Sequence, residues 1–487
     1  MTGSSYVERL PDDILFMIFK LIVVDEKEAL YEYLQDNFCG IYWDDWGDAF
    51  ERDSALLQSV LLPAASVCER WQSFLTRTPS MWTELQISFK EGPAALEHAR
   101  KFVQYSGTCL LQITLLWDDP SWIVPIMWDD TDIDDSALKR TSRAEIMAAL
   151  SFLSRPSVYP ACNLEKLHLQ FIHNPRHADH FMNEPSLFPG SVPPLRDLVL
   201  FGISWTWLSP HMLSSHLSDL RIHYDDCCTD DLGDTGTTFE QAKVFFQLLG
   251  SLVNLRTLTL ELELTCYGDA ISIELPHLHS LVIKSRSMEP WATDFLRSVK
   301  MPSLRILTLC VASLGEENSV HGIFGELATL TDPDADDPDA DNPSGYLLEL
   351  DELHLLNFRY RENPLLLHRL FVQMSTVETL TLGPRADGDN VALALALLPT
   401  PRGLPDLPFI GLRTLVVFNV PKHVMRLIVL ERTPLAGPLE ELYYNYDRED
   451  KSVQDDWQHE VEKYRRIGFV DCERVQDIVN KRWSYMT

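Results

Sequence analysis

Short apolar stretches with the spacing Leu-x-x-Leu-x-Leu recur along the chain from about residue 160 to residue 446. Within each stretch apolar and polar positions alternate, which predicts a short strand with one buried face. The first apolar positions run from Leu164 to Leu439, so nine intervals cover 275 residues and average about 31. The ten units lie at 163–169, 194–200, 216–222, 254–260, 277–283, 303–309, 349–355, 376–382, 411–417 and 438–444.

Stretches with helical spacing of apolar residues lie between several of these units, at 240–252, 290–299, 364–374 and 423–430. One strand with one helix cannot bury its apolar surface alone, whereas stacked units bury a continuous core. The pattern resembles the leucine-rich repeat over residues 160–446. That resemblance implies an α/β solenoid with a concave parallel sheet and convex helices. The period is uneven, and only Asn357 and Asn419 fall near the family's asparagine position, so we expect an irregular horseshoe. An ordinary leucine-rich α/β domain is the alternative.

The middle residue of each Leu-x-Leu is expected to face the concave side, while the flanking leucines are buried. A shift of one residue would exchange the two faces, so this register is a specific prediction. The middle positions form a candidate target-binding surface, which consists of His168, Val199, Arg221, Thr259, Val282, Thr308, His354, Thr381, Val416 and Tyr443.

The N-terminal segment predicts a helix with two apolar sides. Pro11 suits the first turn, and the acidic pair Asp12 and Asp13 complements the positive end of the helix dipole. A helix that is apolar on two sides needs two partners, one from its own core and one from elsewhere. One side carries Ile14, Met17, Ile18, Leu21 and Ile22, and the other carries Leu15 and Phe19.

Three motifs in this region, in order, are similar to those of the F-box, and the third resembles the hinge of fungal F-box proteins. They comprise Leu10, Pro11, Ile14, Ile18 and Phe19, then Val67, Cys68 and Trp71, and then Thr78, Pro79 and Trp82. The resemblance implies a small all-α module over residues 1–85. Because the first two motifs are farther apart than in the family, residues 24–54 are interpreted as an acidic insertion.

The resemblance also assigns roles to these residues. The implied adaptor-binding residues are Leu10, Pro11, Ile14, Leu15, Ile18 and Phe19, on a helix face that the rest of the chain leaves partly uncovered. The implied core residues of the module are Val67, Cys68 and Trp71.

The family resemblance implies the substrate-recognition subunit of a Skp–cullin–F-box ubiquitin ligase. The F-box would bind a Skp-family adaptor, and through it a cullin, while the repeats bind a target protein that the sequence does not identify. The alternative is a leucine-rich-repeat interaction scaffold with a degenerate F-box that has no link to ubiquitination. We expect no enzymatic activity, no cofactor and no metal site, since the chain lacks phosphate-loop, dinucleotide-binding and nucleophile-elbow motifs.

The charge and composition of the chain limit its possible binding partners and its cellular location. The net charge of −31 makes nucleic acids and anionic membranes unfavourable partners. The apolar stretch at 14–24 is shorter than a membrane span, and the start lacks the features of a secretory signal. Nine cysteines without a Cys-x-x-Cys pair suggest reduced thiols, so we expect a cytoplasmic or nuclear protein.

The C-terminal part has a different composition from the repeats. Val453, Trp457, Val461 and Tyr464 are spaced as one helical face. The sequence therefore predicts a helix over Asp450–Arg465, within a helical cap at 447–487 that closes the end of a repeat domain at 86–446.

Overall fold

The computed structural model of the chain forms two compact units, Met1–Asp231 and Leu232–Thr487. It describes residues 10–22, 61–88, 93–117, 164–171, 193–201, 215–223, 239–262, 272–285, 291–311, 321–331, 349–358, 364–383, 390–399, 407–418, 420–437, 439–445 and 463–467. The predicted insertion at 24–54 lies outside these residues.

The first unit combines N-terminal helices with a parallel sheet. Its described helices are α1 (12–22), α2 (Leu61–Val67), α3 (Glu69–Thr76) and α4 (Pro93–Ser106), with a 3-10 turn at Pro79–Met81. The five strands among its described residues pair in chain order and are β1 (Glu84–Ser88), β2 (Leu111–Trp117), β3 (Leu164–Phe171), β4 (Asp197–Phe201) and β5 (Asp219–His223).

The second unit alternates strands and helices. Its helices are α5 (Phe239–Gly250), α6 (Trp291–Ser298), α7 (His321–Thr331), α8 (Pro364–Gln373), α9 (Val391–Leu395) and α10 (Lys422–Ala436). Two short strands, β7 (Ile273–Glu274) and β9 (Val299–Lys300), pair with each other. The main parallel sheet contains β6 (Thr257–Glu261), β8 (Ser280–Ser285), β10 (Ile306–Val311), β11 (Glu352–Leu356), β12 (Thr379–Leu382), β13 (Thr414–Val417), β14 (Glu441–Asn445) and β15 (Lys463–Ile467).

The leucines of the repeated motif form the cores of both units. Those that flank the middle positions are at most 3% exposed. In β5 and β6 buried and half-buried residues alternate, as expected for strands with one buried face. In β12 and β13 every residue is buried, so these strands are covered on both faces. The chain is thus a mixed α/β protein with parallel strands, which is consistent with a solenoid-like fold.

A repeated hydrogen-bond pattern joins successive strands of the second unit. The carbonyl of Arg256 accepts the backbone N–H groups of both His279 and Ser280, at 2.8 and 3.0 Å. The same paired arrangement recurs at each step from β8 to β14, ending on the carbonyl of Arg413, which accepts from Glu440 and Glu441. Each strand therefore starts at a position set by the preceding strand, which keeps the motif in register although the connections vary in length.

The four helices predicted from apolar spacing are confirmed as α5, α6, α8 and α10, with ends that differ by a few residues or, in α10, by six at the C-terminal end. Helices α6 to α10 contact each other in chain order and form a layer of their own. Helix α5 contacts this layer through Phe246, whose ring lies 5.8 Å from the ring of Phe295 on α6.

The predicted C-terminal helix is wrong at its last residues. Its last three residues, Lys463, Tyr464 and Arg465, belong to β15, which pairs in parallel with β14, with Tyr464 opposite Leu442. The backbone groups at the edge of β14 provide hydrogen-bond partners that local apolar spacing does not reveal. The other residues of the predicted cap, 447–462 and 468–487, lie outside the described part of the chain. Among the described helices, none is long and apolar enough to cross a membrane.

Candidate functional site

Helix α1 has one buried side and one exposed side. Leu15 and Phe19 are fully buried. On the opposite side Met17 and Leu21 are 51% and 62% exposed. Ile14 and Ile18 lie on that same side and are half-buried. We call Ile14, Met17, Ile18 and Leu21 the outer face of α1. It is a continuous apolar stripe, because these residues are spaced three and four apart in a helix.

Aromatic side chains from α3 cover the buried side of α1. The ring of Phe19 packs edge-on against Trp71, with centroids 5.0 Å apart, and stacks against Phe74 at 6.0 Å. Arg70 holds the start of α1, since its guanidinium donates to the carbonyl of Leu10 and pairs with Asp12 at 3.1 Å. Two segments separated by about 50 residues therefore form one small helical core.

These contacts correct two of the adaptor-binding assignments. Leu15 and Phe19 were expected on a partly uncovered face, but they are core residues, because Trp71 and Phe74 need a large apolar partner. Of the other assigned residues, Pro11 is exposed and Leu10 is half-buried, as are Ile14 and Ile18. Met17 and Leu21 were missing from the assignment, although their helical spacing from Ile14 and Ile18 was already visible in the sequence.

The assignment of Val67 to the core is also wrong, since this side chain is 63% exposed. Helix α2 ends at Val67, and Cys68 adopts an extended conformation before α3 begins. The Cys68 sulfur accepts the backbone N–H of Trp71 at 3.5 Å and so caps α3. The chain direction changes at Cys68, which leaves Val67 at an outward-facing helix end. Trp71 itself is half-buried against Phe19.

Trp82 connects this helical module to the first strand. Its ring is fully buried, lies 5.0 Å from Phe102 and 4.8 Å from Tyr105 of α4, and donates from Nε1 to the carbonyl of Leu75 at 2.7 Å. Trp82 therefore joins α3 to α4 just before β1 begins.

The middle positions of the repeated motif line up across neighbouring strands in each unit. In the first unit His168 lies opposite Val199, which lies opposite Arg221. In the second unit seven positions form one row, which runs through Thr259, Val282, Thr308, His354, Thr381, Val416 and Tyr443. The row continues to Arg465 on β15.

Only part of these rows is accessible. His168, Val199, Arg221, Thr259 and Val282 are half-buried. The expectation of an accessible face is wrong for the remaining five positions, which are at most 9% exposed and comprise Thr308, His354, Thr381, Val416 and Tyr443.

Contacts within the second unit accompany this burial. His354 Nδ1 lies 2.9 Å from Thr381 Oγ1, and Tyr443 packs with Val416 and Phe418 in one apolar cluster. The residues from Thr308 to Tyr443 thus serve the interior of this unit rather than a binding surface.

Charged side chains surround the half-buried middle positions of the first unit. Asp197 lies opposite Lys166 in the register, and its Oδ2 is 3.4 Å from His168 Nε2. Asp197 is only 7% exposed, and its Oδ1 has no hydrogen-bond partner among the described residues. Burial opposes ionisation of Asp197, but the hydrogen bond and charge of His168, with the charges of Arg221 and Lys166, lower the pKa of this carboxyl overall.

We call Lys166, His168, Val199 and Arg221 the β3–β5 patch. The last three are middle positions of the repeated motif, whereas Lys166 and Asp197 were not among the predicted site residues. Both lie two residues before a middle position, so the period of two in a strand places them on the same face. The sequence shows this spacing of two, but it does not show that Asp197 is buried.

No cluster of three or more His, Cys, Asp or Glu residues in the described ranges is arranged to hold a metal ion. Burial raises the pKa of the Cys310 thiol to about 11, so this cysteine is a poor nucleophile at neutral pH. The absence of enzymatic activity stays a prediction.

No protein-family model matches the chain, and no curated protein matches it.

Proposed function

We propose that this protein is the substrate-recognition subunit of a Skp–cullin–F-box ubiquitin ligase. In this proposal the N-terminal helices bind a Skp-family adaptor, and through it a cullin, while the repeats bind a target protein. The chain would contribute proximity rather than chemistry, because joining two partners raises the effective concentration of one near the other.

The outer face of α1 is the observation that carries the proposal. Its opposite side already has a core partner in Trp71 and Phe74, so the exposed Met17 and Leu21 are free of that structural role. An apolar helix stripe of this kind suits helix-mediated recognition by a partner. It lies in the segment whose motifs resemble the F-box, ahead of the leucine-rich repeats.

The size of the effect follows from the exposed surface. A fully buried Leu or Met side chain contributes about 1.5–3 kcal/mol. Met17 and Leu21 have roughly half of their surface left to bury, so together they should contribute about 2–3 kcal/mol to binding. The double variant Met17→Ala/Leu21→Ala should therefore bind the adaptor about 30- to 150-fold more weakly.

The test is a titration of the full chain with a purified Skp-family adaptor. The matched control is Leu435→Ala, since Leu435 is 59% exposed but lies on α10 of the second unit. Circular dichroism of each variant shows whether the fold is retained. If the wild type does not bind the adaptor, or the folded double variant binds as tightly as the wild type, the ubiquitin-ligase proposal fails. The interaction scaffold with a degenerate F-box then replaces it.

A further inference from the structure

The apolar outer face of α1 continues into the segment that enters the helix. Pro11 is exposed and lies three residues before Ile14, which itself lies four residues before Ile18. Residues at this spacing share one side of a helix, so Pro11 extends the outer face by one turn. Leu10, directly before it, is half-buried. We call Leu10 and Pro11 the entry segment. A partner that covers the outer face of α1 would therefore also contact the entry segment.

Arg70 of α3 contacts α1 at its start. Its Nη2 donates to the carbonyl of Leu10 and also lies 3.1 Å from Oδ1 of Asp12. The next residue, Trp71, packs against the ring of Phe19 near the other end of α1. Helix α3 therefore holds α1 at two places, at the entry segment and again at the buried ring.

Of these two contacts of Arg70, the hydrogen bond to the carbonyl is the one that positions the entry segment. The Asp12 side chain is 76% exposed, and exposed ion pairs contribute little, because water screens them. The bond to the Leu10 carbonyl is partly buried, and a charged donor makes such a bond stronger. A bond from the Leu15 N–H to the Pro11 carbonyl, at 3.1 Å, closes the first turn of α1, and Arg70 fixes the residue before that turn.

We propose that Arg70 is a positioning residue for adaptor binding, which holds the entry segment so that Pro11 forms the first turn of the outer face of α1. This inference rests on the proposed function, because it concerns the same binding site. Arg70 acts through the carbonyl of Leu10 rather than by touching the adaptor. A segment that is already held in its bound conformation costs less to order on binding, so the fixed entry segment raises the affinity.

The test titrates the full chain with a purified Skp-family adaptor and compares variants of Arg70. Arg70→Met keeps an apolar stem but removes the donor, so it should weaken binding about tenfold. Arg70→Lys can still donate to the Leu10 carbonyl and should weaken binding by less than about threefold. Asp12→Asn removes only the exposed ion pair and should also change binding by less than about threefold.

A double-mutant cycle separates positioning from a general structural role. Arg70→Met should cost about tenfold in the wild-type and Leu21→Ala backgrounds but less than about threefold with Pro11→Ala, because the contact that Arg70 positions is then missing. A general loosening of α1 would instead cost the same in all three backgrounds. Amide exchange of Phe19 should stay within about twofold of the wild type in Arg70→Met, since the buried side of α1 remains packed.

The matched control is Arg77→Met, since Arg77 is an exposed arginine at the C-terminal end of α3. This variant should bind the adaptor like the wild type. The inference is overturned if Arg70→Met binds like the wild type, or if Arg77→Met weakens binding equally. An equal cost of Arg70→Met in the Pro11→Ala and Leu21→Ala backgrounds would also overturn it, as would faster amide exchange of Phe19. A wild type that does not bind the adaptor overturns the ubiquitin-ligase proposal and this inference together, so the two failures are distinguishable.

Discussion

Replacing Phe19 by Ala tests which side of α1 belongs to the core. The Phe19 side chain is fully buried between Trp71 and Phe74. Truncation of a buried Phe to Ala typically costs about 3–5 kcal/mol, which includes the lost ring contacts and the cavity left behind. Because the Phe19 ring makes the aromatic contacts between α1 and α3, we expect this loss to appear as local unfolding of α1 from α3.

Amide hydrogen exchange measures this effect directly. A loss of about 3 kcal/mol in the free energy of local opening should speed exchange of the amides in 12–22 by more than a hundredfold. The amides of α3 should also exchange faster, since Trp71 loses its partner. Global unfolding curves are less suitable, because a chain with two units need not unfold in one step.

Met17→Ala provides the control on the same helix. Met17 is 51% exposed, and Met and Ala have similar helix propensities, so the free energy of opening should change by less than about 0.5 kcal/mol. If Phe19→Ala leaves exchange of α1 unchanged, or Met17→Ala speeds it equally, the assignment of the two sides is wrong. Comparing the two variants also distinguishes two causes of lost adaptor binding. Phe19→Ala would act by unfolding α1, whereas Met17→Ala would remove a direct contact with the adaptor.

Two further predictions concern buried charges. The buried Arg432 guanidinium donates to the carbonyls of Pro408, Phe409 and Ile410. Arg432→Met leaves these buried carbonyls unpaired, so it should destabilise the second unit by about 3 kcal/mol or more in urea unfolding. An unchanged urea midpoint would contradict this role. Asp197 has a lowered pKa in the folded state, so it stabilises the fold above the unfolded pKa of about 3.9, and this contribution is lost as the pH falls through the folded pKa. The difference in unfolding free energy between the wild type and Asp197→Asn should therefore shrink as the pH is lowered from 7 towards 2, and a difference that is independent of pH would refute this account.

The sequence by itself determined the repeating elements. The Leu-x-x-Leu-x-Leu spacing predicted strands whose flanking leucines are buried, and helical spacing located α5, α6, α8 and α10. These predictions succeed because the period of apolar residues along a strand or helix is a local property that sets which residues share a face.

Tertiary structure decided which of several apolar faces is the core and which is accessible. Both sides of α1 are apolar, and packing against Trp71 and Phe74, about 50 residues later, places the side of Phe19 in the core. Likewise, Val199 and Val416 occupy equivalent motif positions, yet Val199 is half-buried and Val416 is 5% exposed.

Tertiary contacts also decided the conformation of the C-terminal strand β15. Tyr464 has helical spacing from Trp457 and Val461, but it pairs with Leu442 in the sheet. An edge strand offers unpaired backbone groups to any neighbouring segment, and this gain outweighs a weak local preference for helix. Such pairing depends on contacts between residues distant in sequence, so local periodicity alone does not encode it.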